Sequence, residues 1–480
     1  MKDHLKKHYH LIGIGGIGVS GVARILLQQG HSVSGSDPRS TALTKKLGEM
    51  GATIYHKHEG ENIEGADCLV VSSAIPYDNP EVVEARRKDI PIFHRAEVLG
   101  HIMQGRTGVA VSGTHGKTTT SAMMSHLLQY NNLDPTIVVG GQLNGIMSNA
   151  KLGKSRYMVV EADESDASFL HLDPRWIIVT SVDVDVNLNV APYSHLNFDY
   201  DKTLNKVKDA FFKFIDRLPE GGKAILCADD GNIRDMLPRI RKNYMTYGFS
   251  RDADIRAENI NYRNFGSTFD VVYNGKYLGN IVLRVPGLHN VQNTLATIAI
   301  GLEVGLSFRR IAQAVSMYDG VKRRFQKLGE VDGVMVVDDY AHNPGKIKAL
   351  LSGARTGGKK RVVLIFQPHR YTRTKFLFDE FADSFHDADM VIVTEIYGAG
   401  ECPIVGIRGE SLAEAIRCNE RPPGDVRFFP HTEEVIDFVH QYVREGDLVI
   451  TSGAGDIHRT GELIVKKLSG LWLKHELAAG

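Results

Sequence analysis

The chain has 480 residues, too many for one compact core, and a typical domain size of about 150 residues points to three domains. Lys plus Arg and Asp plus Glu balance at 57 each, so no global field draws the chain toward nucleic acid or an anionic membrane. With 42% hydrophobic and 24% charged residues the composition is that of a globular protein, and no apolar run reaches the about 18 residues of a membrane span.

The first segment, MKDHLKKHYH, is basic, and His4, His8 and His10 are expected on a solvated arm. The glycine-rich stretch after it lacks the apolar region and cleavage site of a signal peptide. Cys68, Cys227, Cys402 and Cys418 are widely spaced and form no CxxC pair, as expected of reduced structural thiols. A cytoplasmic protein without membrane insertion is the expectation.

Strand Tyr9–Ile12 runs into Gly13-Ile14-Gly15-Gly16-Ile17-Gly18, and a helical pattern follows through Val22, Ile25 and Leu26 to Gly30. Further strands are expected at His31–Ser34, Ala52–Tyr55, Cys68–Ser72 and Ile90–Phe93. Strands alternating with helices predict a parallel α/β sheet. A second unit opens at Thr107 with strand Gly108–Ser112 and a second glycine loop. Strands Tyr157–Glu161 and Trp176–Ser181 continue it, and a helix is expected near Asn205–Arg217. Residues Ile255–Val285 alternate and turn at Asn274-Gly275, predicting a small antiparallel meander before a helix from about Asn290 to Val304. A third unit carries strands Val334–Asp338, Arg361–Phe366, Met390–Thr394 and Leu448–Thr451. The expected domains are 1–107, 108–320 and 321–480, with Rossmann-like outer domains around a P-loop-type centre. Neither a repeat nor a low-complexity linker interrupts them.

The strongest chemical signal is Gly113-Thr114-His115-Gly116-Lys117-Thr118-Thr119 between a strand and a helix. Glycines admit phosphate to the backbone N–H groups, and the helix start favours negative charge. Lys117 is expected on the terminal phosphates and the Thr118 hydroxyl on Mg²⁺. The loop is shorter than the usual P-loop, with Val111 where a first glycine would stand. Downstream, strand Met158–Glu161 ends in the acidic run Glu161-Ala162-Asp163-Glu164-Ser165-Asp166, and Glu161 is the expected metal ligand, since Mg²⁺ takes hard oxygens. Gly13, Gly15 and Gly18 form GxGxxG, with Asp37 near the spacing of a ribose-reading acid. Alone that pattern reads as a dinucleotide-dependent oxidoreductase, but no hydride-transfer site accompanies it, and a nucleotide-sugar diphosphate would use the same loop.

Taken together these segments resemble the Mur ligases over nearly the whole chain. The shortened ATP loop, the strand Val159–Glu161 with its acidic run, and Gly287-Leu288-His289-Asn290 with Asn293 follow in family order. So do Gly320-Val321-Lys322-Arg323-Arg324-Phe325 and Asp338-Asp339-Tyr340-Ala341-His342-Asn343-Pro344. The resemblance implies ATP with Mg²⁺ or Mn²⁺, adenine contacts from Asn290 and Asn293, a phosphate contact from Arg324 and a ribose contact from Asp338. Gly15, Gly16, Ile17, Gly18, Asp37, Ser72, Ser73 and Ala74 would bind the UDP-sugar. The L-alanine-adding branch is implied by Gly13–Gly18, Ser72–Ile75 and Gln367–Thr374, with Tyr340, His342, His369, Arg370 and Arg373 toward the amino acid. Lys117, Arg324, His342 and Arg373 would carry catalysis. The implied reaction joins L-alanine to UDP-N-acetylmuramate through an acyl phosphate.

Two segments depart from the family. Asn343-Pro344-Gly345-Lys346 stands where a second histidine is more usual, and the Asp-His-Leu expected after strand Trp176–Thr180 is missing. His195 follows only after an apparent insertion, Asn187–Ser194, so a second metal falls to His195, to Asp185, or to substrate and water, with His195 preferred. Another muramyl-peptide ligase, recycling a tripeptide onto the same sugar, and a simple NAD-binding or nucleotide-switch protein are the competing readings.

Overall fold

The computed structural model describes residues 7–143, 148–184 and 200–471. Its first sheet is built from β1 (His8–Ile12), β2 (Ser32–Ser36), β3 (Thr53–Tyr55), β4 (Cys68–Val71) and β5 (Ile92–His94). All pairings are parallel and the order is β3-β2-β1-β4-β5, so the sheet changes direction between β1 and β4. A crevice opens at the carboxyl ends of strands where the order reverses, and there lie Gly13–Gly18 after β1 and Ser72–Ala74 after β4.

The second sheet comprises β6 (Thr107–Ser112), β7 (Thr136–Leu143), β8 (Ser148–Lys151), β9 (Tyr157–Glu161), β10 (Trp176–Val179), β11 (Lys223–Cys227), β12 (Tyr244–Gly248), β13 (Ile255–Arg263), β14 (Gly266–Tyr273) and β15 (Lys276–Leu283). Strand β6 sits between β9 and β10. Its Val109, Ala110 and Val111 are fully buried, which is why the strand reads as unbroken apolar sequence. The ATP-type loop therefore leaves the middle of the sheet, flanked by Glu161 at the end of β9 and by Thr180 and Ser181 after β10. The meander is not a separate unit. Strand β13 pairs parallel with β12, and the hairpins β13–β14 and β14–β15 extend the main sheet. The second hairpin turns at Asn274 and Gly275, with φ of 47° and 76°, the backbone that an Asn-Gly pair tolerates.

The third sheet holds β16 (Gln326–Val331), β17 (Val334–Asp339), β18 (Arg361–Phe366), β19 (Met390–Val393), β20 (Asp425–Phe428) and β21 (Asp447–Ser452), in the order β16-β17-β21-β18-β19-β20. Only β16 runs antiparallel. Strands β16 and β20 escape the sequence pattern because they are edges whose residues are mostly half-exposed. Apolar side chains of the first two sheets merge into one cluster that joins Leu11 and Val22 to Val109 and Val138. The third sheet keeps two clusters of its own, one on each face.

One expectation fails where it can be read: His10 is fully buried rather than solvated and His8 is half-buried, while His4 lies outside the described residues. His10 lies on β1 with Nδ1 2.8 Å from Ser34 Oγ and Nε2 3.3 Å from Glu81 Oε1. Glu81, also fully buried, accepts from Ser36 Oγ at 2.6 Å and Asn62 Nδ2 at 2.7 Å. A buried carboxylate is tolerated only with this many partners, so the histidine and its neighbours form one satisfied polar cluster beneath the sheet.

Candidate active site

The carboxyl edges of the three sheets face one open cleft of about 1250 Å³. From the first sheet it is lined by Gly16, Ile17, Gly18, Ser72, Ser73 and Ala74. Gly16 precedes the helix Ile17–Gln28, so that helix points its N-terminal amides into the cleft. Gly15 and Asp37 do not line it. Asp37 is buried, with Oδ2 accepting from Gly15 N at 3.0 Å and Oδ1 from Arg39 N at 3.0 Å. The acid expected on a ribose thus ties the glycine loop to β2. Arg95, which sequence reasoning missed, comes closer: it lines the cleft, lies against Gly18 and pairs with Asp163 at 3.5 Å. Its signal was its place directly after β5, at the ligand-binding edge of a parallel sheet.

From the second sheet come Thr114, His115, Gly116, Lys117, Thr118 and Thr119. Gly113 and Gly116 take φ of 126° and 82°, a backbone that side-chain-bearing residues rarely adopt. Lys117 Nζ, at the start of the helix Lys117–Tyr130, donates to Gly113 O at 2.7 Å and Glu164 Oε1 at 2.8 Å. Burial alone would lower the Lys117 ammonium, yet Glu164, Asp163 and Glu161 hold it above its ordinary range, so it stays charged. Thr118 Oγ1 donates to Glu161 Oε1 at 3.0 Å, while Glu161 Oε2 accepts from Gly140 N at 2.6 Å. Asn290 and Asn293, on the helix Leu288–Glu303, reach the same cleft and bond each other at 3.2 Å.

The third sheet adds Arg324, Tyr340, His342, His369, Arg370 and Arg373. Here too the expected acid is turned from the cleft, and its neighbour takes the place. Asp338 is buried away from the cleft, with Oδ2 accepting from Arg323 Nε at 3.0 Å and Oδ1 from Thr451 Oγ1 at 2.8 Å. Asp339 is the carboxylate that lines the cleft, because successive strand residues face opposite sides. Asn343 does not line the cleft. It caps the helix Pro344–Arg355, accepting from Lys346 N at 3.0 Å, with Pro344 in the first turn.

His369 Nδ1 lies 3.0 Å from Arg373 Nη1, and its ring stacks on Tyr397 with centroids 5.5 Å apart. Burial, with Arg373 and Arg370 nearby, lowers His369 to about 4. Burial with Arg324 does the same for His289, and burial with Lys346 and Arg373 pushes His342 well below its usual value. These imidazoles are therefore neutral at physiological pH. Burial is the larger cause in each case, and the neighbouring guanidinium and ammonium groups add to it.

His195, Asp185 and the insertion Asn187–Ser194 lie outside the described residues. Among those described, no group of three or more His, Cys, Asp or Glu side chains forms a ready metal site.

The sequence matches the Mur ligase family, catalytic domain over residues 8–107, the Mur ligase middle domain over 111–301 and the Mur ligase, glutamate ligase domain over 323–455. The chain belongs to the Mur ligase family. It is 47% identical to the UDP-N-acetylmuramate–L-alanine ligase of Geotalea daltonii, over 96% of this chain and 97% of that one. The enzyme of the same name from Geobacter sulfurreducens is 44% identical, over 96% and 97%. Among solved structures, the UDP-N-acetylmuramate–alanine ligase of Thermotoga maritima superposes with a TM-score of 0.80 at 29% identity, covering 97% of this chain and 99% of that one. A murein peptide ligase from Psychrobacter arcticus shares the fold, with a TM-score of 0.68 at 24% identity, over 97% and 100%.

Proposed function

We propose that this Mur ligase joins L-alanine to the carboxylate of UDP-N-acetylmuramate, converting ATP to ADP and phosphate. The observation that carries the reading is convergence: a neutral glycine loop, a lysine-bearing glycine loop and an arginine turn, one from each sheet, line a single cleft. An oxidoreductase would have no use for the second loop, and a nucleotide switch none for the first or the third. The relatives at 44–47% identity carry the alanine-ligase name, and the tripeptide-recycling alternative rests only on shared fold.

In the first step a sugar carboxylate oxygen attacks the γ-phosphorus and ADP leaves. The amine of alanine then attacks the acyl carbon, the acyl–oxygen bond breaks, phosphate departs and the amine gives up a proton. Lys117 and Arg324 offset charge on the transferring phosphoryl group. Arg373 or Arg370 holds the alanine carboxylate, leaving the amine free. Thr118 and Glu161 would hold Mg²⁺ through the hard oxygens it prefers. When bound, the ion would neutralise phosphate charge. The setting is the cytoplasm, in keeping with four free cysteines, two of them exposed, and with the absence of a membrane-spanning helix among the described residues.

The test is ADP release by the purified chain given ATP and UDP-N-acetylmuramate, with L-alanine, with a muramyl tripeptide's free peptide, or with neither. Sustained release only with L-alanine is expected. Release driven by the peptide, or by NAD-dependent chemistry on any substrate, would overturn the assignment.

A further inference from the structure

The acidic run after β9 contains a carboxylate that the reaction as described does not use. Glu164 is the first side-chain partner of Lys117, at 2.8 Å, and its side chain is only 6% exposed. Its other oxygen, Oε2, is buried without a hydrogen-bond partner. The loop that carries it is tied down on both sides of Glu164. Asp163 pairs with Arg95 at 3.5 Å, and Asp166 accepts from Ser73 and, through Oδ1, from Ser168 N at 2.9 Å. Glu164 is therefore held where a phosphate of ATP would need to meet Lys117.

We infer that Glu164 is a positioning residue that serves as the internal counter-anion of Lys117, displaced by the phosphates of ATP and re-paired when nucleotide leaves. The inference rests on the reading of Lys117 as the phosphate-binding lysine. A buried ammonium left without an anion is costly, so the empty loop needs a carboxylate to stay assembled. The same carboxylate opposes every phosphate that approaches. A carboxylate settled in a complete ion pair titrates low, whereas burial, with Asp163 nearby, pushes Glu164 up against the pull of Lys117. With one oxygen on Lys117 and the other buried without a partner, the carboxylate is only half satisfied, and a phosphate with more acceptor oxygens exchanges for it. Nucleotide affinity is kept moderate, and ADP is helped out as the pair re-forms.

The experiment is calorimetric titration of the full chain and its Glu164→Gln and Lys117→Ala variants with ATP and with ADP, each in magnesium and in EDTA. Glu164→Gln keeps the shape and removes the charge, so it is expected to bind both nucleotides on the order of tenfold more tightly. The gain persists in EDTA, which separates it from any role as a metal ligand, and ADP becomes a correspondingly stronger product inhibitor of ligation. Unchanged or weakened nucleotide binding in Glu164→Gln, with binding lost in Lys117→Ala, would overturn the counter-anion role alone. Full ATP binding by Lys117→Ala would overturn the ATP-loop reading and this inference with it. Should Glu164→Gln not fold, as judged by its melting curve, Glu164→Met offers a similar volume without charge and carries the same expectation.

Discussion

The chain contains two glycine loops in the same architectural position, at the carboxyl edge of a parallel sheet ahead of a helix, and they solve anion binding differently. The loop of the first sheet carries no cationic side chain of its own: its carboxylate, Asp37, is spent on the Gly15 amide, and the charge at the cleft comes from Arg95 on another strand's end. The loop of the second sheet carries Lys117 within it and surrounds that lysine with Glu161, Asp163 and Glu164. On the proposed reading the first loop is a fixed cradle for a diphosphate that is bound and not cleaved. On the same reading the second handles a phosphoryl group whose charge changes during reaction, and a cation set among carboxylates suits that task.

The sharpest way to break the comparison is Lys117→Ala. Ligation is expected to fall by on the order of a thousandfold or more, the scale of losing a charge that acts in the transition state. UDP-N-acetylmuramate binding, followed by calorimetry, stays within a few-fold, because the cradle is separate. The arginine turn of the third sheet belongs to the charged kind of recognition. Arg373→Ala is therefore expected to raise KM for L-alanine roughly 10- to 150-fold, from loss of about 1.5–3 kcal/mol of charged hydrogen bonding, with little change in KM for ATP. If both Arg373→Ala and Arg370→Ala leave alanine kinetics unaltered, the carboxylate is held elsewhere.

Asp37→Ala probes the neutral cradle. Freeing the Gly15 amide is expected to raise KM for the UDP-sugar about tenfold while ATP kinetics hold. NAD should give no comparable heat in the wild-type chain, since the acid that would read its ribose is turned into the loop. Equal effects on both nucleotides would mean the two loops are not independent.

The smallest expected effect is on pH dependence, and it falls on the charged half of the cleft. His289 and His369 are lowered to about 4, below their unfolded values near 6.5. Between those limits the unfolded chain binds more protons, so stability rises with pH across about 4 to 6.5 and is lost as pH falls through that window. Melting temperatures measured from pH 7 to pH 4 should decline, and His369→Gln should flatten part of the slope. A curve identical to wild type would remove His369 from the account.

Sequence alone determined the three α/β units, the placement of both glycine loops after buried strands, and the identity of Lys117, Thr118, Glu161, Arg324 and Arg373 as cleft residues. Those features are local: an apolar strand, a loop of glycines and a charged side chain at a strand end declare themselves within a few residues. Tertiary structure decided what depends on which neighbour a group meets. It turned Asp37 into its own loop and gave the cleft Asp339 in place of Asp338, by the alternation of a strand whose register sequence does not display. It also buried His10 through Ser34 and Glu81, residues 24 and 71 positions away. Arg95 and Glu164 belong to the same class. Arg95 sits in a segment the sequence marks only weakly and Glu164 in an acidic run that does not say which carboxylate matters, and each is placed by an ion pair to a distant part of the chain, because charge acts through space and takes no account of the order of residues.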